Sequence, residues 1–197
     1  MPEGSDPARK GLNFSRIVET IQESFREVEN CGKPVIAVVH GVCIGGGVSL
    51  VAACDMRYFA ADAKICVKEG SLGFAADVGA LQWMPKCVGN SSWLRELLYT
   101  VRYADAQECL QFGFCSKVCP DKESTLAAAL ETAREIAAQS PIVTVGTKVN
   151  LNYSRDRSVP EGLGFAADWQ ASQLQSGDVE LARKAEETKT KVVFPKL

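Results

Sequence analysis

A single histidine, His40, leaves this sequence without the ligand clusters that most zinc sites require. Its eight cysteines form no C-x-x-C pair that could take their place. Ser49, in the most glycine-rich stretch, has no glycine two residues on, so the nucleophile-elbow pattern is absent. A Ser–His hydrolase would rest on His40 alone, with no support from spacing; a buried, hydrogen-bonded histidine at a strand end is the better reading. Positive charge is not in excess either: 22 Lys and Arg stand against 24 Asp and Glu, for a net charge of −2. That balance lacks the electrostatic footprint of a nucleic-acid binder. Aromatic residues make up 8% and do not interleave with arginines, so no base-stacking platform is present. The opening stretch Met-Pro-Glu-Gly-Ser-Asp-Pro has no apolar run, and no secretory signal is expected. The cysteines lie mostly in apolar runs, as small buried hydrophobes, and read as reduced thiols of an intracellular compartment.

What is present is a globular composition, 46% hydrophobic and 23% charged, in 197 residues. That suffices for one domain, or one domain plus an appendage. Residues 1–12 are polar, with Pro2, Gly4, Pro7 and Gly11, and read as a leader. Phe14, Ile17, Val18, Ile21, Phe25 and Val28 then recur at three- and four-residue spacing, which predicts an amphipathic helix ended by Gly32 and Pro34. Residues 35–39 are short and β-branched, a buried strand. Residues 41–54 read as a glycine turn feeding a small-residue helix. Together residues 35–54 are almost uncharged and long enough to span a bilayer. The glycines clustered at 45–47, the β-branched first half and His40 in the middle favour a strand–turn–helix unit, and no stable membrane insertion is expected. Strands follow at 56–60 and 64–68.

The second half reads as helical. Asn90 and Asp105 are placed to cap helices, and residues 127–138 are alanine-rich with high propensity. Ser140-Pro141 looks like a cap followed by proline at the first helical position. Ser158-Val-Pro-Glu161 matches a capping box before a helix holding Phe165 and Trp169. Gly177 is expected to end that helix and Asp178 to start another.

Two features could carry chemistry. The glycine run at a helix start offers unpaired N–H groups, a partial positive charge and close approach to the backbone. Such a site holds a phosphate or an oxyanion, although tight strand–helix packing explains the glycines equally well. Glu69 ends an apolar strand, and Asp77 lies in Gly-Phe-Ala-Ala-Asp-Val-Gly with no other charge nearby. Carboxylates in apolar surroundings favour their neutral form, which suits acid–base work near neutrality. For Asp77, capping the next helix is the structural alternative.

The stretch Lys33-Pro-Val-Ile-Ala-Val-Val-His-Gly-Val-Cys-Ile-Gly-Gly-Gly-Val-Ser-Leu, followed by Cys54-Asp-Met-Arg-Tyr, resembles the central signature of the crotonase (enoyl-CoA hydratase/isomerase) superfamily. Val67-Lys-Glu69, Gly73-Phe-Ala-Ala-Asp77-Val-Gly, Leu81-Gln, Pro85-Lys and Tyr153-Ser-Arg-Asp156 are similar to its dienoyl-CoA isomerase branch. The resemblance runs from about residue 12 to the C-terminus. It implies an α/β fold, a crotonase-like spiral of ββα units with its N-terminal part missing and a helical C-terminal trimerisation region. On that basis residues 13–139 form a partial core, and residues 140–197 the oligomerisation region and tail.

The resemblance further implies that Gly46 supplies an oxyanion-hole amide and that Glu69 and Asp77 are the acid–base carboxylates. Ser49 stands where the family has a carboxylate, in the oxyanion and substrate-binding region. The implied reaction moves the double bonds of a 3,5-dienoyl-CoA to the 2,4 positions, with acyl-CoA as substrate and no metal or other cofactor. Alternatives are a simple Δ3-Δ2 enoyl-CoA isomerase using Glu69 alone and a non-catalytic subunit of the same fold, the latter suggested by Ser49 and by the short N-terminal side. A homotrimer or homohexamer is expected. The ending Pro195-Lys196-Leu197 differs from a peroxisomal Ser-Lys-Leu address at one position, which points to a peroxisome or related organelle such as a glycosome, with the mitochondrion as alternative.

Overall fold

The first helix begins sooner than its apolar spacing implies. In the computed structural model, which describes residues 6–197, α1 runs Pro7–Asn30. Asp6 caps it by accepting the Arg9 N–H at 3.0 Å, and Pro7 fits the first turn, where no amide donor is needed. Residues 7–12 are therefore helical rather than a leader, and residues 1–5 of that expected leader lie outside the described residues. The inward stripe is also displaced from the expected one. Val18, Gln22, Phe25, Val28 and Glu29 are half-buried, whereas Phe14, Ile17 and Ile21 are 56, 52 and 43% exposed.

Two structural units follow from the contacts. One holds α1 with Val35–Ala129, and the other holds Gly32–Pro34 with Leu130–Leu197. The division thus falls after Ala129, ten residues before the boundary expected at 139/140.

In the first unit strands come in pairs and each pair feeds its two members to different sheets. β1 (Ile36–Val39) and β3 (Met56–Ala60) join β6 (Lys117–Cys119) in a parallel sheet ordered β1-β3-β6. β2 (Val42–Ile44) and β4 (Lys64–Cys66) run parallel in a second sheet, with the short β5 (Ala104–Asp105) antiparallel to β4. After β2 comes α2 (Gly46–Ala53); after β4 come a 3₁₀ turn (Lys68–Leu72) and α3 (Ala80–Cys87). This is a repeating ββα pattern. β2 is an addition to the sequence reading, which took Gly41 to Gly47 as one turn. Gly41 and Gly45, both at positive φ, bound this three-residue strand.

Residues 35–54 are accordingly two strands and an eight-residue helix, and no helix among the described residues is long and apolar enough to cross a membrane. Val39, Val48, Phe59, Ile65, Met84, Leu97 and Phe114 fill the core between these elements. Phe59 and Phe114 meet edge-to-face at 6.1 Å, a favoured aromatic geometry. α4 (Ser91–Thr100) and α5 (Ala106–Gln111) start where expected, with Asn90 and Asp105 accepting the N–H groups of Trp93 and Glu108.

α6 (Lys122–Ala137) carries the chain out of the first unit. In the second unit Ser140 caps α7 (Pro141–Ser154) and donates its hydroxyl to the Asp178 carboxylate at 2.5 Å. Glu161 takes the Ser158 N–H at the head of α8 (Val159–Gln173), as the capping box implies. Gly177 opens α9 (Gly177–Thr188) under a Ser176 cap rather than ending α8. Phe165 and Trp169 turn toward the neighbouring helix: Phe165 stacks on Tyr153 of α7 at 3.9 Å, and Trp169 lies 6.0 Å from Phe165.

Candidate active site

The site forms around the start of α2. Gly45 ends the second strand at φ +55° and gives its N–H to the Cys66 carbonyl at 3.0 Å, which ties the turn to β4. Its own carbonyl accepts the Val48 N–H at 2.9 Å and opens the helix. Gly46 and Gly47 occupy the first turn, where no carbonyl of the same helix can accept their N–H groups. Those two amides and the positive end of the helix are available to an anionic or carbonyl oxygen.

β4 delivers Glu69 to this point through the 3₁₀ turn. Its side chain is 6% exposed. Oε1 lies 3.3 Å from where a Cβ on Gly45 would stand, so the carboxylate rests against the glycine turn. Oε2 is buried and has no hydrogen-bond partner. Buried acceptors are almost always paired, so an unpaired carboxylate oxygen marks a place prepared for something else. Burial also pushes the nearby Cys43 thiol up; its sulfur lies 3.3 Å from the Cβ position of Gly47 and makes a poor nucleophile there.

Asp77 is half-buried in the loop leading to α3. It is not the helix cap: that position is Gly79, at φ +125°, where the Trp83 ring fills the space a side chain would need. The Asp77 carbonyl accepts from Gln22 Nε2 at 2.6 Å, and the next residue, Val78, places a methyl 3.9 Å from the Cβ position of Gly46. Ser49 is buried one turn into α2, and its oxygen accepts the Ala80 N–H at 3.1 Å. The hydroxyl expected to face substrate therefore serves the first turn of α3. His40 is exposed at the end of β1 and not a buried strand-end histidine.

Glu69, Gly46, the Asp77 loop and Ser49 thus meet at one helix terminus. The combination offers a backbone donor for a carbonyl oxygen and, in Glu69, a buried carboxylate against the same turn, with the loop that bears Asp77 alongside. Gln22 and Phe25 belong to the same constellation and are not among the site residues that the sequence points to. The signal for Gln22 was a polar residue on the inner stripe of an amphipathic helix, between Val18 and Phe25. Among the described residues no group of three or more His, Cys, Asp or Glu side chains gathers as a metal ion would need.

Comparison with known proteins agrees with this geometry. The model of the family described as Enoyl-CoA hydratase/isomerase matches residues 9–194. The chain is 50% identical to a human protein named mitochondrial Delta(3,5)-Delta(2,4)-dienoyl-CoA isomerase, in an alignment covering all of this chain and 61% of that protein. It is 39% identical to the peroxisomal protein of that name from Arabidopsis thaliana, over 98% of this chain and 69% of the relative. The crystal structure of an enoyl-CoA hydratase from Bacillus anthracis superposes with a TM-score of 0.87 at 26% identity, over 97% of this chain and 72% of that one. The chain thus spans 61% of the length of its human relative. The ββα repeat, the glycine turn and the match across residues 9–194 lead to one conclusion: this chain belongs to the enoyl-CoA hydratase/isomerase family and has its crotonase-like α/β fold.

Proposed function

We propose that this chain carries the acid–base machinery of a 3,5-dienoyl-CoA to 2,4-dienoyl-CoA isomerase acting on fatty acyl-CoA thioesters. The observation that carries the reading is the buried Glu69 carboxylate, with one oxygen unpartnered and the other against Gly45, next to the free amide of Gly46. The names of the human and Arabidopsis relatives support the substrate class. The thioester oxygen sits on the Gly46 N–H, which stabilises the negative charge that develops when C2 loses a proton. Glu69 takes that proton. The electron pair spreads along the conjugated chain, and Asp77 donates a proton at C6, leaving double bonds at C2 and C4. The sequence is redox-neutral and draws on no metal or cofactor besides the acyl-CoA substrate itself.

Glu69→Gln and Asp77→Asn should each slow formation of the 2,4-diene by about 10²-fold or more, read by the absorbance of the conjugated thioester. Unchanged rates in both variants would remove the two carboxylates from the chemistry. An Asp77→Asn variant that still shifts a 3-enoyl-CoA at the wild-type rate, in a protein inactive on dienes, would favour a simple enoyl-CoA isomerase using Glu69 alone. Ser49→Asp adds a third carboxylate, and a higher rate would show that the site uses one. For location we propose a peroxisome-type organelle, with the mitochondrion as alternative, the two compartments that the relatives' names give. A fluorescent fusion of the full chain, imaged beside markers of both organelles, tests this, and a diffuse cytosolic signal would contradict it.

A further inference from the structure

We infer that Ser49 is a positioning residue that sets Asp77 in register with the Gly46 amide. The inference rests on the acid–base reading above and deepens it. The segment from Asp77 to Ala80 is held at three points. Gln22 binds the Asp77 carbonyl at 2.6 Å, Val78 rests a methyl against Gly46, and Ser49 accepts the Ala80 N–H at 3.1 Å. Two of these anchors belong to α2, the element that also presents the Gly46 donor. The loop bearing the second carboxylate and the oxyanion site are therefore fixed to one short helix.

The Ser49 contact has no substitute within α3. The first amides of a helix find no acceptor within it, and where they are buried another group must supply one; Gly79 in the cap position has no side chain to do so. No residue with a side chain can replace it: φ is +125°, and the Trp83 ring stands 2.0 Å from the Cβ position. The acceptor must come from another element. Ser49 and Ala80 are both fully buried, so water cannot serve in its place. Without the hydroxyl, the Ala80 N–H is a buried donor with no partner, and the first turn of α3 shifts or frays to reach one. Asp77, three residues upstream, moves with it. Glu69, held on the other side of Gly45 by β4, does not.

That asymmetry gives the test. Exchange of the substrate C2 hydrogen with solvent deuterium needs Glu69 alone, whereas 2,4-diene formation also needs Asp77. In the full chain, Ser49→Ala should lower diene formation by about tenfold to a hundredfold, the usual cost of a small misplacement, and leave C2 exchange within about twofold of wild type. Ser49→Thr, which keeps the hydroxyl, should recover much of the loss. Equal loss of both reactions, or loss of neither, would overturn the inference while leaving the proposed activity standing. A wild-type chain that neither exchanges C2 hydrogen nor forms the diene would overturn the activity, and the inference with it. If Ser49→Ala does not fold, amide exchange of the wild type decides: the Ala80 N–H should be protected like the core strands, and exchange at the rate of an exposed loop would refute the contact.

Discussion

Gln22 of α1 donates its side-chain amide to the backbone carbonyl of Asp77 at 2.6 Å, across 55 positions of sequence. The first helix thereby takes part in the site without contributing a reactive group. Phe25, one turn further on, lies 3.8 Å from the Cβ position of Gly46, and Glu29 accepts from Trp83 Nε1 at 3.2 Å. One stripe of α1 meets the Asp77 loop, the glycine turn and α3 in succession.

Gln22→Leu keeps the bulk and removes the donor. It should cost about 1–2 kcal/mol of stability, the range for leaving a half-buried carbonyl unpaired. Diene formation should fall severalfold, and thermal unfolding and product absorbance measured on the same preparation report both effects. Wild-type values in both assays would show that α1 merely covers the loop.

Gly45 and Gly41 separate two costs that usually arrive together. Both sit at positive φ, +55° and +59°, where alanine costs about 1–3 kcal/mol from the backbone alone, with Gly45 the costlier because its ψ of −127° lies outside the left-handed α well. At Gly41 nothing lies within 4 Å of the added methyl, whereas at Gly45 it meets Glu69 Oε1 at 3.3 Å. Gly41→Ala should therefore lower the unfolding midpoint and spare the chemistry. Gly45→Ala should lower the midpoint at least as much and also depress diene formation, because the carboxylate must move. Equal activity in the two variants would mean that Glu69 does not work from this position.

Much of this arrangement was legible in the residues, and the parts that were not share a cause. The strand–glycine–helix unit and the caps at Asn90, Asp105 and Ser140 are local patterns, each set by residues a few positions apart. The inward stripe of α1 is not. Apolar spacing marks Phe14, Ile17 and Ile21 together with Val18, Phe25 and Val28, yet only the last three turn inward, joined by Gln22 and Glu29, whose neighbours offer a carbonyl and an indole N–H to bind. The role of Ser49 was hidden for the same reason. Its partner is an amide 31 residues away, and only the fold shows that Gly79 cannot cap its own helix.

The pH dependence of stability should carry the mark of Glu108. Arg102 donates to both Glu108 oxygens, at 2.6 and 2.9 Å, and Trp93 Nε1 donates at 2.7 Å. The Arg102 hydrogen bonds hold the carboxyl below its ordinary value, and the indole bond adds to this. A carboxyl depressed in the folded state stabilises the fold above its unfolded pKa of about 4.3, and that contribution is lost as pH falls through the lower folded value. The pair is partly open to solvent, so the effect is about 1–2 kcal/mol. Glu108→Gln should lower the unfolding free energy at pH 7 by that amount and change it little near pH 3. A constant difference across the range would mean that the ion pair is not what the charge contributes.

Assembly is the remaining expectation, and the second unit locates its test. Val159 and Leu163, four residues apart on one face of α8, are 75 and 66% exposed, on a helix whose Phe165 is stacked inward on Tyr153. Large aliphatic side chains exposed on one helix face are the kind of surface that proteins cover with another chain. We propose that a second copy covers it, in a closed trimer or a dimer of trimers. Light scattering at micromolar concentration should then give a mass of three or six chains. Leu163→Glu places a charge on that face, where burial against a neighbour would cost several kcal/mol, but it leaves the monomer fold intact because the position is open to water. The variant should run as a folded monomer with wild-type helix content. A wild-type monomer at the same concentration, or a variant whose mass does not change, would show that this face is not the contact between copies.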